Sequence, residues 1–304
     1  MHFTYRQLKV FEAVARHLNY TRAAEELHLT QPTVSMQVKE LAEAVGLPLF
    51  EQIGKKTYLT EAGRELLMST REIFDAWDRF TMTVDNLKGL SRGKLRVAIV
   101  TTAKYFVPRL LGEFVSRYPD IEVALEVANR DAVVERLSNN LDDLYVMGVP
   151  PPSMPLKIEP FLANPLVVIA PKAHALAGRT RVPINALATE RFIQREKGSG
   201  TRLASERHFA DLGMPMNIKM ELGTNEAILQ AVAGGLGIAV LSRHTIGRHA
   251  EEIGVTELDV AGFPIERSWY IVTPEGKKLS VIAKAFHDYL LQVREASNVS
   301  APNA

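Results

Sequence analysis

The chain has 304 residues, 46% of them hydrophobic and 23% charged, with 36 Lys/Arg against 35 Asp/Glu for a net charge of +1. That length exceeds what one core holds and points to two or three units of ordinary globular protein. It contains no cysteine, which excludes a disulfide framework and thiolate chemistry and fits a reducing, cytoplasmic setting. No apolar run reaches the length of a membrane span, and MHFTYRQLKVFEAV lacks a signal-type apolar core.

Leu8, Phe11, Val14, Ala15 and Leu18 recur at helical spacing and predict a first helix over Tyr5–His17. Thr21 can cap a second, TRAAEEL, which buries Ala24 and Leu27. His28 and Leu29 make a tight turn. Thr30 then caps a third helix, TQPTVSMQVKEL, whose Val34, Val38 and Leu41 share one face and whose Pro32 sits in the first turn, where a missing N–H is harmless. The opposite face carries Gln31, Pro32, Thr33, Ser35, Met36, Gln37 and Lys39. Its period alone equally suits the surface of some other helical bundle.

Two short helices joined to a third by a two-residue turn form a helix-turn-helix, whose last helix enters the major groove of DNA. Gln31, Ser35 and Gln37 carry both donors and acceptors for base edges or phosphates, Pro32 and Thr33 can meet a thymine methyl, and Lys39 and Arg22 can contact phosphate. LPLF is followed by EQIGKKTYLT, a hairpin with Gly54 at its turn and Lys55 and Lys56 at its tip, placed as a basic wing. Residues 1–60 hold seven Lys/Arg against six Asp/Glu, so the case for DNA rests on where the cations sit rather than on a basic excess.

These residues carry a resemblance. AAEELHLTQPTVSMQVKEL…LPLFEQIGKKTYLTEAG resembles the winged helix-turn-helix of LysR-type transcriptional regulators, with two departures. Ala42 stands where the family usually has an acidic residue, and Gln52 where it has an arginine, which puts one wing contact in doubt. The resemblance implies that Thr21, Arg22, Thr30, Gln31, Pro32, Thr33, Ser35, Met36, Gln37, Lys39, Lys55 and Lys56 face double-stranded DNA.

Over residues 61–90, Leu66, Ile73, Trp77, Phe80, Val84 and Leu87 fall at heptad spacing with Thr70 as the one polar occupant. A helix of that length is about 45 Å long. Such a seam packs either on its own domain or on a second copy. The resemblance implies the second: a linker helix that pairs two chains over an inverted-repeat operator, dimers assembling to a tetramer, with RNA polymerase as a further partner of an activator. Residues 91–93, SRG, read as a hinge.

From Lys94 the period changes. KLRVAIV, IEVALEV and LDDLYVMG read as strands separated by helices YFVPRLLGEFVSRY and DAVVERLSN, a βαβαβ order that implies a parallel sheet covered on both faces. IEPFL, PLVVIA, RFIQ, a helix over Thr201–Leu212, NIKMEL, NEAILQAVA and IAVLS follow. SWYIVT and a long amphipathic helix return to the first sheet. The expected fold is therefore multi-domain. An all-α winged helix-turn-helix spans 1–60 and a linker helix 61–90. A two-lobe α/β domain spans 91–304, with lobe I near 93–162 and 267–304 and lobe II near 163–266. The tail after Ala296 is expected to be disordered.

Open α/β sheets bind ligands beyond the carboxyl ends of their strands. Four polar stretches fall there: VTTAK with Thr101, Thr102 and Lys104; ANRD with Asn129 and Arg130; KGSGTR with Gly198, Ser199, Gly200, Thr201 and Arg202; and LGTNE with Thr224 and Asn225. Each alone is an ordinary turn and cap. Together, free N–H groups at helix starts beside Arg130 and Arg202 favour an anionic, phosphorylated ligand. KGSGTR is not a phosphate loop of the GxxxxGK[ST] kind, and AGGLGI joins a helix to a strand, the reverse of a dinucleotide fingerprint.

The resemblance agrees. It implies a two-lobe effector domain like periplasmic binding proteins, with a small molecule between the lobes. LFEQIGKKTYLTEAG, VTTAKYF, DDLYVMGVPP, REKGSGTR and GTNEAI are similar to the CbbR-type regulators of RuBisCO and Calvin-cycle operons, which implies sensing of phosphorylated intermediates or nicotinamide nucleotides; regulators of inorganic-carbon uptake share much of the pattern. No cofactor or metal is expected. His244 and His249, five apart, do not share a helix face, GSG lacks the GxSxG elbow, and no carboxylate pair stands at a cleft position, so catalysis is not expected. An architectural DNA-binding protein would leave the two-lobe domain unexplained.

Overall fold

The computed structural model describes residues 2–54, 56–87, 93–247 and 252–299, with the backbone alone for residues 82, 83, 85–87 and 297–299. Lys55, His249, Ser91 and Arg92 of the expected hinge, and the tail from residue 300 lie outside the described residues. Contacts divide the chain into two units, residues 1–81 and 82–304.

In the first unit, α1 (Tyr5–His17) opens with a reciprocal capping box between Thr4 and Gln7 and buries Leu8, Val10, Phe11 and Val14. The second helix, α2 (Tyr20–Glu26), is capped by Asn19, whose side chain accepts from the N–H of Thr21 and Arg22. Thr21 is therefore a first-turn residue and not the cap: Asn19 reaches the free donors from two residues upstream. His28 takes a left-handed φ of 53° in the turn. Thr30 caps α3 (Gln31–Val45), which buries Val34, Val38 and Leu41.

Strands β1 (Phe50–Ile53) and β2 (Lys56–Leu59) pair antiparallel, with Ile53 opposite Lys56 and Gly54 at a φ of 63° in the turn. Helix α4 (Glu61–Leu87) begins close to this hairpin: a Cβ on Gly63 would stand 2.1 Å from the Leu49 carbonyl, so only glycine fits there. Leu67 joins Leu8, Phe11, Leu41 and Leu49 in one core, with Leu66 and Phe74 packed against it.

The second unit contains two lobes. In the first, β3 (Gly93–Val100) leads through a 3-10 turn, Thr101–Tyr105, into α5 (Val107–Val115), β4 (Ile121–Ala128), α6 (Arg130–Ser138), β5 (Leu144–Met147) and β6 (Leu156–Ala163). The chain then enters the second lobe with β7 (Leu166–Pro171), β8 (Phe192–Arg195), α7 (Gly200–Asp211), β9 (Ile218–Leu222), α8 (Asn225–Ala233), β10 (Ala239–Ser242), α9 (Arg243–Ile246) and β11 (Val255–Leu258). It returns to the first with β12 (Ser268–Pro274) and α10 (Val281–Val299).

The first sheet runs β4-β3-β5-β12-β6. β4, β3 and β5 are parallel, as a βαβαβ order requires. β12 alone is reversed, pairing antiparallel with β5 on one side and β6 on the other, so the sheet is mixed rather than wholly parallel. The second lobe holds the antiparallel sheet β10-β7-β11 and the parallel pair β8-β9; β11 was not anticipated. The two crossovers hold each other: the N–H of Asn164 donates to the Arg267 carbonyl at 2.6 Å, and Leu166 and Ile265 exchange bonds. No helix among the described residues is long and apolar enough to cross a membrane.

Candidate DNA-binding surface and effector cleft

Burying Val34, Val38 and Leu41 turns the other face of α3 outward. Gln31, Pro32, Ser35, Met36 and Lys39 are exposed there, and Thr33 and Gln37 half-buried. Some of their hydrogen-bonding capacity is already used. Thr33 pairs its hydroxyl with that of Thr30 at 2.8 Å. Gln37 donates to Glu40, which also accepts from Gln7. Lys39 lies 3.8 Å from Glu43. Gln31 and Ser35 make no such bond, and Arg22 and Lys56 are exposed without an ion pair among the described residues. Uncommitted polar groups therefore stand on the outward face of α3, at the start of α2 and on the wing.

Along α4, Ile73, Trp77 and Phe80 are 42%, 55% and 60% exposed. Val84 is half-buried and the side chain of Leu87 is not described. Thr70, the polar occupant of the seam, is fully buried. Trp77 lies 5.6 Å from Tyr5 and 6.0 Å from Phe80, ring centre to ring centre. These three side chains leave an apolar stripe open on a charged helix.

The second unit places a small cavity of about 20 Å³, room for about one water, between its two lobes. Val100, Thr101, Thr102, Arg130, Gly148 and Val149 line it from the first lobe, Ser199, Gly200 and Thr201 from the start of α7, and Asn164 and Arg267 from the crossovers. Six of the twelve expected residues are thus brought together: Thr101, Thr102, Arg130, Ser199, Gly200 and Thr201.

The other six do not line it, each for a visible reason. Arg202 turns away into ion pairs with Glu206 and Glu221 and donates to the Arg195 carbonyl. Lys104 pairs with Glu226 at 2.8 Å. Asn129 and Thr224 spend their side chains capping α6 and α8. Asn225 accepts from Arg195. Gly198 makes the left-handed turn before α7, against Asp131. Arg267 and Asn164 were missed, because both lie on crossovers that carry no periodic pattern.

Arg267 is the strongest anion-seeking group in the cleft. Its guanidinium donates to the carbonyls of Gly148 at 2.7 Å and Gly200 at 3.2 Å, joining the two lobes. It has no carboxylate partner among the described residues, and burial pushes its pKa below the ordinary arginine value. Arg130 donates to the Val149 carbonyl at 2.9 Å and pairs with Asp131 at 2.9 Å. The Asn164 side-chain oxygen is buried without a partner among the described residues. Free N–H groups of the first turn of α7 and the hydroxyls of Thr101, Thr102 and Thr201 complete a donor-rich pocket with two cations and no lining carboxylate.

Across the mouth, Tyr105 and Lys104 of the first lobe hold Glu226 of the second at 2.7 and 2.8 Å. Arg195, fully buried on β8, is bidentate to Glu196 and reaches Thr101 of the opposite lobe at 3.2 Å. These bonds hold the lobes closed.

A family model described as bacterial regulatory helix-turn-helix protein, lysR family, matches residues 5–64, and one described as LysR substrate binding domain matches residues 88–295. The chain is 48% identical to the HTH-type transcriptional activator CmpR of Synechocystis sp., over 98% of each chain. It is 50% identical to the RuBisCO operon transcriptional regulator of Acidithiobacillus ferrooxidans, over 95% of this chain and 94% of that one. Among solved structures, the regulatory domain of CcmR from Synechocystis PCC6803 in complex with 2-PG superposes with a TM-score of 0.65 at 52% identity, covering 66% of this chain and 97% of that one. The winged helix-turn-helix and the two-lobe cleft thus belong to a member of the LysR family of transcriptional regulators.

Proposed function

We propose that this regulator binds an inverted-repeat operator as a dimer or dimer of dimers, and controls carbon-fixation genes of the RuBisCO type in response to a small phosphorylated anion. The observation that carries the reading is the cleft: two cations, several hydroxyl donors and no lining carboxylate. The 52% identical regulatory domain that holds 2-PG supports it, and 2-phosphoglycolate, with its phosphate and carboxylate, is the effector proposed here. Control of inorganic-carbon uptake genes is the second reading, favoured by the similarity to CmpR.

Gln31 and Ser35 read base edges, while Arg22 and Lys56 hold phosphates. Ile73, Trp77 and Phe80 pair with a second copy. The chain acts by binding and not by catalysis: His244 is bonded to the Ala163 carbonyl and packed on Trp269. Anion binding favours the closed arrangement of the lobes, and can shift the bound state only through its different affinity for the two arrangements.

The test is calorimetric titration of the full-length chain with 2-phosphoglycolate, glycolate, orthophosphate and NADPH. Binding of 2-phosphoglycolate well above glycolate is expected. Equal binding of glycolate and 2-phosphoglycolate would remove the phosphate from the reading.

A further inference from the structure

Two adjacent threonines line the cleft, and the hydroxyl of each is fixed in the same way. Thr102 Oγ1 accepts from the indole Nε1–H of Trp269 at 3.1 Å. Thr101 Oγ1 accepts from Arg195 Nη2 at 3.2 Å. An indole N–H and a guanidinium can only donate. Each hydroxyl has therefore given a lone pair to its neighbour and keeps its single proton for something else. Neither hydroxyl finds an acceptor for that proton among the described residues, and both line the cavity.

A serine or threonine hydroxyl is ordinarily indifferent to charge, because it rotates to donate or accept as the ligand demands. Here one of the two lone pairs is already occupied, and the balance shifts toward donation. A hydroxyl that already accepts from a fixed donor is polarised toward donating its own proton, since hydrogen bonds in a chain strengthen one another.

We propose that Trp269 is a positioning residue of the effector site, holding the Thr102 hydroxyl as a proton donor so that the cleft selects an oxyanion. This rests on the anionic-effector reading above. Trp269 does not line the cavity and acts only through Thr102. It is well placed to do so. Trp269 is fully buried on β12, held against Phe106 at 4.5 Å and against His244 of the second lobe at 4.9 Å. Its N–H direction is therefore set by packing and not by the ligand.

Arg195 does the same for Thr101, with one difference. Arg195 belongs to the second lobe and Thr101 to the first, so that bond exists only while the lobes are together. Trp269 and Thr102 share a lobe, and their bond survives opening. The cleft thus keeps one oriented donor at all times and gains a second on closure, which links anion binding to the closed arrangement.

The experiment is a double-mutant cycle on the full-length chain, read by calorimetry with 2-phosphoglycolate and with orthophosphate. Thr102→Val should weaken binding about tenfold or more, the loss of one hydrogen bond to a charged ligand. Trp269→Phe should weaken it severalfold with Thr102 present, and by less than about twofold in the Thr102→Val background, because residues acting as a unit are not additive. The same cost in both backgrounds would mean that Trp269 only packs, and overturns the proposal.

A second readout avoids altering Trp269. The chain has two tryptophans, so in a Trp77→Phe protein the emission reports Trp269 alone. Saturation with 2-phosphoglycolate should shift that emission with threonine or serine at 102 and leave it unmoved with valine. Emission that stays fixed while calorimetry shows bound ligand contradicts the proposal. A wild-type chain that binds neither anion overturns the effector reading itself, and the proposal with it.

Discussion

Replacing Arg267 by methionine separates the anion site from its surroundings. In the ligand-free protein two effects oppose. Losing the guanidinium takes a donor from the Gly148 and Gly200 carbonyls, at about 1–3 kcal/mol where one is left buried and unpaired; the Gly200 carbonyl, at the start of α7, keeps its helical bond. It also removes a buried cation that no carboxylate neutralises, whose desolvation is itself costly. The ligand-free melting temperature should therefore move little. With an anion present the balance changes. A hydrogen bond to a charged group contributes about 1.5–3 kcal/mol, which is roughly a 10- to 150-fold loss of affinity.

Arg202→Met is the internal control. It removes an arginine of α7 beside the cleft whose charge is already held by Glu206 and Glu221, and it should change affinity by no more than about twofold. Arg130→Met should fall between, because Asp131 neutralises part of its charge. Isothermal titration of the three variants with 2-phosphoglycolate gives the order directly. An Arg202→Met protein as impaired as Arg267→Met, or an Arg267→Met protein that binds like wild type, would refute the placement of the anion.

Three further outcomes follow from the first unit and its helix. Trp77→Asp with Phe80→Asp should lower the assembly state in sedimentation velocity at micromolar concentration; an unchanged sedimentation coefficient would remove α4 as the pairing surface. Gln31→Ala should cost about 1–3 kcal/mol of discrimination at one operator position, whereas Lys56→Ala should weaken all sequences alike and reduce the salt slope by about one. Binding titrations on matched and mismatched operators at several salt concentrations distinguish these. Glu26 is held near a pKa of about 2, chiefly by hydrogen bonds from Arg16, assisted by His17. A carboxylate whose folded pKa is depressed stabilises above its unfolded value and loses that contribution as pH falls through the folded one. The stability of wild type over Glu26→Gln should therefore be complete above about pH 4.5 and vanish toward pH 2, as followed by thermal melts in acid.

The first unit was legible because its signals are local. Thr30, Pro32 and the Val34–Val38–Leu41 stripe set the start and the buried face of α3 within twelve residues. The misplaced cap of α2 shows the limit: Asn19 and Thr21 both suit a cap, and which one reaches the free N–H groups depends on where α1 ends. In the second unit, strand-end loops pointed to the cleft, since strands and helix starts are readable from period and caps. Side-chain direction is not. Arg202 and Arg130 look equivalent in sequence, yet Glu206 and Glu221 draw one away while Val149 and Asp131 hold the other at the cavity. Arg267, Asn164 and Trp269 come from crossovers and a returning strand, brought to the cleft by contacts across more than a hundred residues. β11 escaped notice because VTEL is four residues long and carries no clear alternation.

A footprint of the full-length chain on its operator, titrated with 2-phosphoglycolate, joins the DNA surface to the cleft in one measurement. The wild-type footprint should change in extent or in its bend-sensitive positions as the anion saturates, and the Arg267→Met footprint should stay as it is without ligand. A wild-type footprint that never changes while calorimetry shows the anion bound would contradict a regulator that carries cleft closure to its DNA.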